Sequence, residues 1–570
     1  MRVYEAIVKG LESVGVDAAF GGAGENAAPL MLALKHSSQI KPVIVRNEQA
    51  ASFMACGYSI YSNRLGVCFA TAGPGAFNLF SGLAVAMSDS YPILAISGFA
   101  AVKWMGKGAL NETSGLSRTP DSRKMFEATT KRSYFLDDIT KTCDVLEEAV
   151  NVAFEGRPGP VHIHVAFDLT ENGLSVDNYR DIRLNVRPVL PDSAQIAAAA
   201  AAIAGAIRQR KSVIALIGFG AVRSRAGPEL EALVERFQIP FATTLDGKGI
   251  IPEDHPLALG VFADSGHATA GKAFVAADLV IAVGNSFAQH ATFDFRTDLL
   301  AGKTLVHINI SAAEINKVYR ADYGVVADAK PAVAALAAAL SPMVDAVAPV
   351  RVEKDRHITA TPFNLEPHHV HPGQLAQSLS KLLPDNAIVL ADAGAHLAWL
   401  GYFLQLRRGQ HFHKPGSFGP MAWATNGALG TKIAFPDRPV IVGCGDGCYQ
   451  LSGFELMTAV RYDIPVIWII FADGEFKLIK LYQLEAYHES GLVDFPNPDY
   501  VAYAQACGAQ GFRVESLAEF ETAFQAALKS GKPTLIDASI TRLALPHYSP
   551  NPAGLLAAIE QSIENKLAGR

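Results

Sequence analysis

The sequence predicts an α/β protein of three doubly wound domains, each built around a parallel sheet. Three observations carry that prediction. Short apolar runs alternate with helical patterns at the spacing of strand–helix–strand units, which puts helices on both faces of a parallel sheet. Two segments, 177–194 (Asn, Arg and Pro) and 342–372 (charges and Pro), interrupt the alternation and read as linkers. The chain has 570 residues, whereas a single hydrophobic core stops growing at roughly 250–300.

The first block, 1–176, reads as a helix from the N-terminus and then strands over 18–21, 43–46, 66–70, 93–97 and 161–165. The second block, 193–341, opens on an alanine-rich segment over 194–208. Alanine is the best helix former, so this is an ordinary helix. Strands follow over 213–217, 240–244, 279–283 and 304–310, and the block ends near Leu340. In the third block, 372–570, a strand over 438–442 leads to a glycine turn at Gly445-Asp446-Gly447. A helix over 454–462, a strand over 466–471 and a closing helix over 553–567 complete the pattern.

Half the residues are hydrophobic and 18% are charged, the balance of a soluble globular protein. A net charge of −6 argues against a nucleic-acid or anionic-membrane binder. No apolar run reaches the ~18–20 residues of a membrane span, and the N-terminus lacks a secretory hydrophobic core. The six cysteines, at 56, 68, 143, 444, 448 and 507, show no paired spacing, which fits a reducing cytoplasm. Cys444 and Cys448 flank Asp446 and read as small buried residues. The His368-His369-Val370-His371 cluster has no nearby Cys or second His pair to complete a metal site.

The chemistry concentrates at Asp446 and at Asp473, 27 positions later in Ala472-Asp473-Gly474-Glu475. A right-handed strand–helix–strand unit brings both carboxylates to the carboxyl ends of parallel strands, where doubly wound sheets bind ligands. Hard oxygen ligands beside free backbone amides suit a magnesium ion carrying a diphosphate. Three further segments join them: Arg46-Asn47-Glu48-Gln49-Ala50-Ala51, with an acid after a buried strand; Gly73-Pro74-Gly75-Ala76-Phe77-Asn78; and Gly419-Pro420-Met421 before a small-residue helix over 422–430. Alone, Glu48 reads equally as a first-turn acid favoured by the helix dipole. The glycine–proline segment alone is only a tight turn.

Together these segments resemble the thiamine-diphosphate-dependent enzymes related to acetolactate synthase and pyruvate oxidase. The resemblance covers nearly the whole chain in the order pyrimidine-binding, central and diphosphate-binding domain. It implies that Glu48 hydrogen-bonds the pyrimidine N1′ of thiamine diphosphate and so drives its amino group to remove the C2 proton. Met421 is implied as the wedge that bends the cofactor, with the Gly419 carbonyl accepting from the pyrimidine amino group. Asp446, Asp473 and the Glu475 carbonyl are implied as Mg2+ ligands, Asp473 standing where relatives commonly have Asn. Gly73, Asn78, Gly394, His396, Gly447, Cys448, Phe476 and Ile479 are implied to contact the cofactor, and Leu110, Asn111, Ile479 and Tyr482 to form the substrate pocket.

The departures from the family limit what carries over. Acetolactate synthases have Ala-Phe-Gln-Glu where this chain has Ala109-Leu110-Asn111-Glu112, which enlarges the pocket, and 114–123 form an extra polar loop. The paired histidines of the simple decarboxylases are absent. Flavin-binding relatives carry Gly-x-Arg-Phe-Asp where this chain has Gly284-Asn285-Ser286-Phe287-Ala288, so FAD, another adenine nucleotide or nothing remain open for the central domain. Lys477 and Lys480 share a helical face and read as solvated surface or as a substrate-carboxylate site.

The resemblance implies decarboxylation of a pyruvate-like 2-oxo acid with carboligation to a second carbonyl. A flavin-dependent oxidase, a thiamine-dependent lyase or hydrolase of another C–C bond, and a non-catalytic cofactor binder are the alternatives. A homodimer or homotetramer with the site between subunits is expected, because Glu48 and Asp446 sit on different domains.

Overall fold

The computed structural model describes residues 1–171, 174–264, 266–353 and 366–546. Three six-stranded parallel sheets form the molecule, each flanked by helices. The first contains β1 (Ala18–Gly21), β2 (Lys41–Ile44), β3 (Gly66–Ala70), β4 (Ile93–Phe99), β5 (Arg132–Leu136) and β6 (Pro160–Ala166), in the order β2-β1-β3-β4-β6-β5. The second contains β7 (Val213–Ile217), β8 (Phe241–Thr243), β9 (Ala258–Val261), β10 (Leu279–Val283), β11 (Thr304–Asn309) and β12 (Tyr323–Val326), in the order β12-β11-β10-β7-β8-β9. The third contains β13 (Ile388–Ala391), β14 (His411–His413), β15 (Val440–Gly445), β16 (Val466–Ala472), β17 (Gln510–Val514) and β18 (Thr534–Ser539), in the order β14-β13-β15-β16-β18-β17.

The sequence expectation holds for the architecture and shifts at several ends. The predicted 43–46 strand is β2 at 41–44, on the sheet edge rather than buried. Its ladder stops because the Arg46 and Asn47 amides donate instead to Glu455 Oε1, at 2.8 and 3.1 Å. β5, β9 and β12, and in the third sheet β13, β14, β17 and β18, escape the sequence reading. β5 and β12 are edge strands, partly exposed and without a continuous apolar run. β15 runs through to Gly445, paired with Phe471, so Asp446 opens a helix (Asp446–Ser452) instead of sitting on a free turn. The predicted 454–462 helix is a short 3-10 turn, Gly453–Glu455, followed by Leu456–Arg461. The closing helix over 553–567 lies outside the described residues. Among the described residues no helix is long and apolar enough to cross a membrane.

The first and third sheets share one continuous core, from Phe20 and Phe53 to Leu390, Val442 and Trp468. At its centre the Glu48–Ser62 helix lies against the Trp423–Ala434 helix through glycines. A Cβ on Gly57 would stand 1.9 Å from the Gly427 carbonyl oxygen, and one on Gly430 1.8 Å from that of Met54. Only glycine permits this approach. The second sheet keeps its own core on both faces.

Candidate active site

Adjacent parallel strands β15 and β16 deliver Asp446 and Asp473 to one sheet edge. Asp446 is buried, and its carboxylate organises the loop around it. Oδ2 accepts from the amides of Asp473 (3.0 Å) and Gly474 (2.7 Å) and from Asn497 Nδ2 (2.8 Å). Oδ1 accepts from the Gly447 amide at 2.8 Å, so that amide is already engaged and not simply free for an anion. Burial raises the Asp446 pKa against the pull of these donors. Burial raises Asp473 well above the carboxylate range; Lys477 pulls it down, and the charges of Asp446 and Glu475 push it up. A divalent cation between these two carboxyl groups would relieve both.

The same edge opens into a cavity of about 280 Å³, walled by Trp399, Met421, Phe471, Phe476 and Ile540. Gly394, His396, Gly419, Gly447, Cys448 and Ile479 also line it. His396 is buried with Nε2 unpartnered, and burial lowers its pKa to about 4, so the ring is neutral near pH 7. Gly419 and Ala422, both with positive φ (56° and 67°), bracket Pro420-Met421 in a sharp turn. A Cβ on Gly447 would come 2.6 Å from Phe476 Cε1 and 3.4 Å from Met421 Cε, so the absent side chain leaves room beside Asp446. The Cys448 thiol donates to the Ala393 carbonyl at 3.1 Å. An orphaned ring nitrogen, two neighbouring carboxyl groups and apolar walls fit a magnesium–diphosphate group with an aromatic body.

Glu48 lies elsewhere in the same chain. It is the first residue of its helix, and Asn47 caps that helix by accepting from the Gln49 amide. Its carboxylate is held by Asn78 Nδ2, 2.9 Å from Oε2. Gly22 and Gly75 press against it, since a Cβ on either would lie 2.3 or 3.1 Å from Oε1. Gly73, at φ 65°, backs onto Asn111, itself at φ 58°. Glu48, Gly73, Asn78 and Asn111 therefore form one cluster, and none of them lines the Asp446 cavity. Leu110, on the loop after β4, is 79% exposed.

Other sequence readings change. Lys477 and Lys480 are not solvated surface, being 8% and 1% exposed, and Lys477 lines the cavity. Both ammoniums clamp the Glu475 carboxylate, at 2.8 and 2.6 Å. Burial pushes that carboxyl up, and the two lysines more than offset it. Only the Glu475 main chain is left to face a ligand. Tyr482 is 59% exposed and absent from the cavity wall. His371 caps the Pro372–Leu382 helix, accepting from the Gly373 amide at 3.0 Å. Sequence reasoning missed Asn497 and Arg542, whose guanidinium donates to the Asp473 carbonyl. An Asn between two prolines, Pro496 and Pro498, was the available signal for the first; nothing marked the second.

Comparison with known proteins identifies the family. Residues 1–118 match the thiamine pyrophosphate enzyme N-terminal TPP binding domain, 200–336 the central domain and 392–538 the C-terminal TPP binding domain. A probable acetolactate synthase large subunit of Methanocaldococcus jannaschii is 32% identical, over 99% of this chain and 96% of its own. The acetolactate synthase large subunit of Corynebacterium glutamicum is 31% identical, over 94% and 86%. That of Pyropia yezoensis is 30% identical, over 94% and 91%.

Proposed function

The chain belongs to the thiamine pyrophosphate enzymes, and from that premise we propose an acetolactate synthase-like carboligase. A 2-oxo acid such as pyruvate loses carbon dioxide, and its former carbonyl carbon bonds to the carbonyl carbon of a second substrate. Bound thiamine diphosphate supplies the nucleophilic carbon and the electron sink. The observation that carries the reading is the Asp446–Asp473 pair opening onto a cavity with an orphaned His396 and the Met421 turn.

In this reading Asp446, Asp473 and the Glu475 carbonyl hold Mg2+, and His396, Gly394 and the first turn at Gly447 and Cys448 hold the diphosphate. Met421, Phe476 and Ile479 pack against the cofactor body, and the Gly419 carbonyl accepts from its pyrimidine amino group. Glu48 shares a proton with the pyrimidine ring, and Asn78 fixes the orientation of its carboxylate. Leu110, Asn111 and Tyr482 shape the space for the second carbonyl. We assign 1–176 to pyrimidine binding, 193–341 to the central domain and 372–570 to diphosphate binding. The six free cysteines support a cytoplasmic setting.

Because the Glu48 cluster and the Asp446 cavity are separate in one chain, a second copy completes each site. Exposed apolar side chains on both sides support this homo-oligomer: Trp104, Leu110 and Leu116 near one, Leu478, Ile479 and Tyr482 near the other.

The central domain lacks the residues that mark its flavin-binding relatives. Gly218 and Gly220 meet the backbone of Gly284, with a hydrogen bond of 2.9 Å from Gly220 N to Gly284 O, so their missing side chains serve packing rather than a pyrophosphate. Ser286 and Ala288 stand where flavin relatives have Arg and Asp, and both line a cleft of about 330 Å³.

A screen of 2-oxo acids with Mg2+ and thiamine diphosphate tests the proposal, reading carbon dioxide and C–C products together. Acetolactate- or acyloin-type product with stoichiometric carbon dioxide supports it. Carbon dioxide with free aldehyde and no coupled product overturns the carboligase assignment.

A further inference from the structure

Behind the loop that carries Leu110 and Asn111 runs a buried chain of side-chain hydrogen bonds. It begins at Ser133 on β5, 3.0 Å from His162 Nδ1. His162 Nε2 reaches Ser97 Oγ on β4 at 2.9 Å, and the same oxygen lies 2.9 Å from His164 Nδ1. His164 Nε2 meets Ser122 Oγ at 3.2 Å, and Ser122 Oγ meets Thr113 Oγ1 at 2.8 Å. Ser97, His162, His164, Ser122 and Thr113 are all at most 3% exposed.

The chain ends at the neck of the loop. Thr113 and Ser122 are joined a second time by the Ser122 amide and the Thr113 carbonyl (3.0 Å), and Ser114 bridges Asp121 just beyond. Glu112 then gathers the amides of Gly106, Gly108 and Ala109, which folds the loop over itself and leaves Asn111 left-handed against Gly73. Phe126 stacks on His162 with centroids 3.5 Å apart, closing the chain to water.

We propose that His164 is a positioning residue: through Ser122 and Thr113 it fixes the neck of the 100–121 loop, and so sets how Asn111 is presented beside Gly73 and the Glu48 cluster. The part of this statement that concerns the second carbonyl rests on the carboligase reading above. Burial keeps both imidazoles neutral, with His164 pushed down to about 3. A neutral ring carries one N–H and one bare nitrogen. The links from Ser133 to Thr113 are therefore compatible with one consistent sense, Ser122 Oγ also lying 3.3 Å from the Thr113 carbonyl oxygen, and a link lost at His164 leaves Ser122 without its partner in the strand layer.

The test uses two amides that copy different halves of the ring. Asn places its polar group near Nδ1 and keeps Ser97; Gln places it near Nε2 and keeps Ser122. Limited trypsin digestion of the full chain without cofactor, with cleavage after the exposed Lys107 and Arg118 located by mass spectrometry, reads the loop directly. H164N raises that cleavage about tenfold, as befits one lost buried link, while H164Q stays near the parent. S122A, a smaller change, matches H164N, and the double variant S122A/H164N is no worse than either. With turnover established, H164N raises the KM of the second substrate more than it lowers kcat. Equal cleavage in H164N and H164Q, or parental cleavage in S122A, overturns the proposal. The digestion needs no turnover, so failure of the carboligase reading leaves this result standing.

Discussion

Asn497 Nδ2 lies 2.8 Å from Asp446 Oδ2 and shares that oxygen with the amides of Asp473 and Gly474. The aspartate is thus both a candidate metal ligand and the keystone of the loop that carries the other two. Partners that orient a metal-ligating carboxylate are typically worth 10–100-fold in metal affinity. N497A is expected to weaken Mg2+-dependent thiamine diphosphate binding by about that 10–100-fold, read from the fluorescence of Trp399 in the cavity wall. Unchanged affinity would show that the backbone amides suffice.

Replacing Glu48 by Gln keeps the Asn78 contact and removes the proton. Turnover should fall by more than the ~10²–10⁴-fold of an ordinary acid–base group, since cofactor activation itself depends on it. Proton exchange at the cofactor C2, followed by NMR, checks the step. Retained exchange would sink the role proposed for Glu48.

The Lys477–Glu475–Lys480 cluster gives a stability prediction. K480M leaves a buried carboxylate with half its compensation, and breaking such a group costs about 3–5 kcal/mol. Denaturant unfolding should show that loss, and K480R a smaller one. If K480M is as stable as the parent, Lys477 alone compensates the Glu475 carboxylate.

Asp89 supplies a pH dependence with a definite sign. Burial raises its pKa from 3.8 to about 6, although Gly416 donates its amide to Oδ2 at 2.8 Å. A carboxyl that holds its proton more tightly folded than unfolded favours the fold when protonated. Its contribution is therefore greatest below pH 3.8 and is lost as pH rises through about 6. D89N keeps an oxygen for Gly416 and removes the titration. Unfolding measured from pH 4 to pH 7 should show the variant gaining on the parent as pH rises through about 6. Parallel curves would contradict the buried-carboxyl account.

Much of this was legible in the chain itself. Val466–Ala472 and Val440–Gly445 announce themselves because central parallel strands are apolar on both faces. Asp446, Asp473, Met421 and Glu48 stood out because their chemistry sits on short motifs at strand ends. What stayed hidden depends on distance in sequence. Glu455 reaches back more than 400 positions to the Arg46 amide, and Lys480 looks like surface until Glu475 is placed beneath it. Helical spacing puts two lysines on one face; it does not say which way the face turns.

The glycine seam between the Glu48–Ser62 and Trp423–Ala434 helices has an evolutionary consequence. A helix held within contact distance at Gly57 cannot shift its first turn alone, so the reach of Glu48 is set nine residues away from the chemistry. Mutations at Gly57, Gly427 and Gly430 will look like folding defects in any screen of abundance. Their surviving variants will look like catalytic ones.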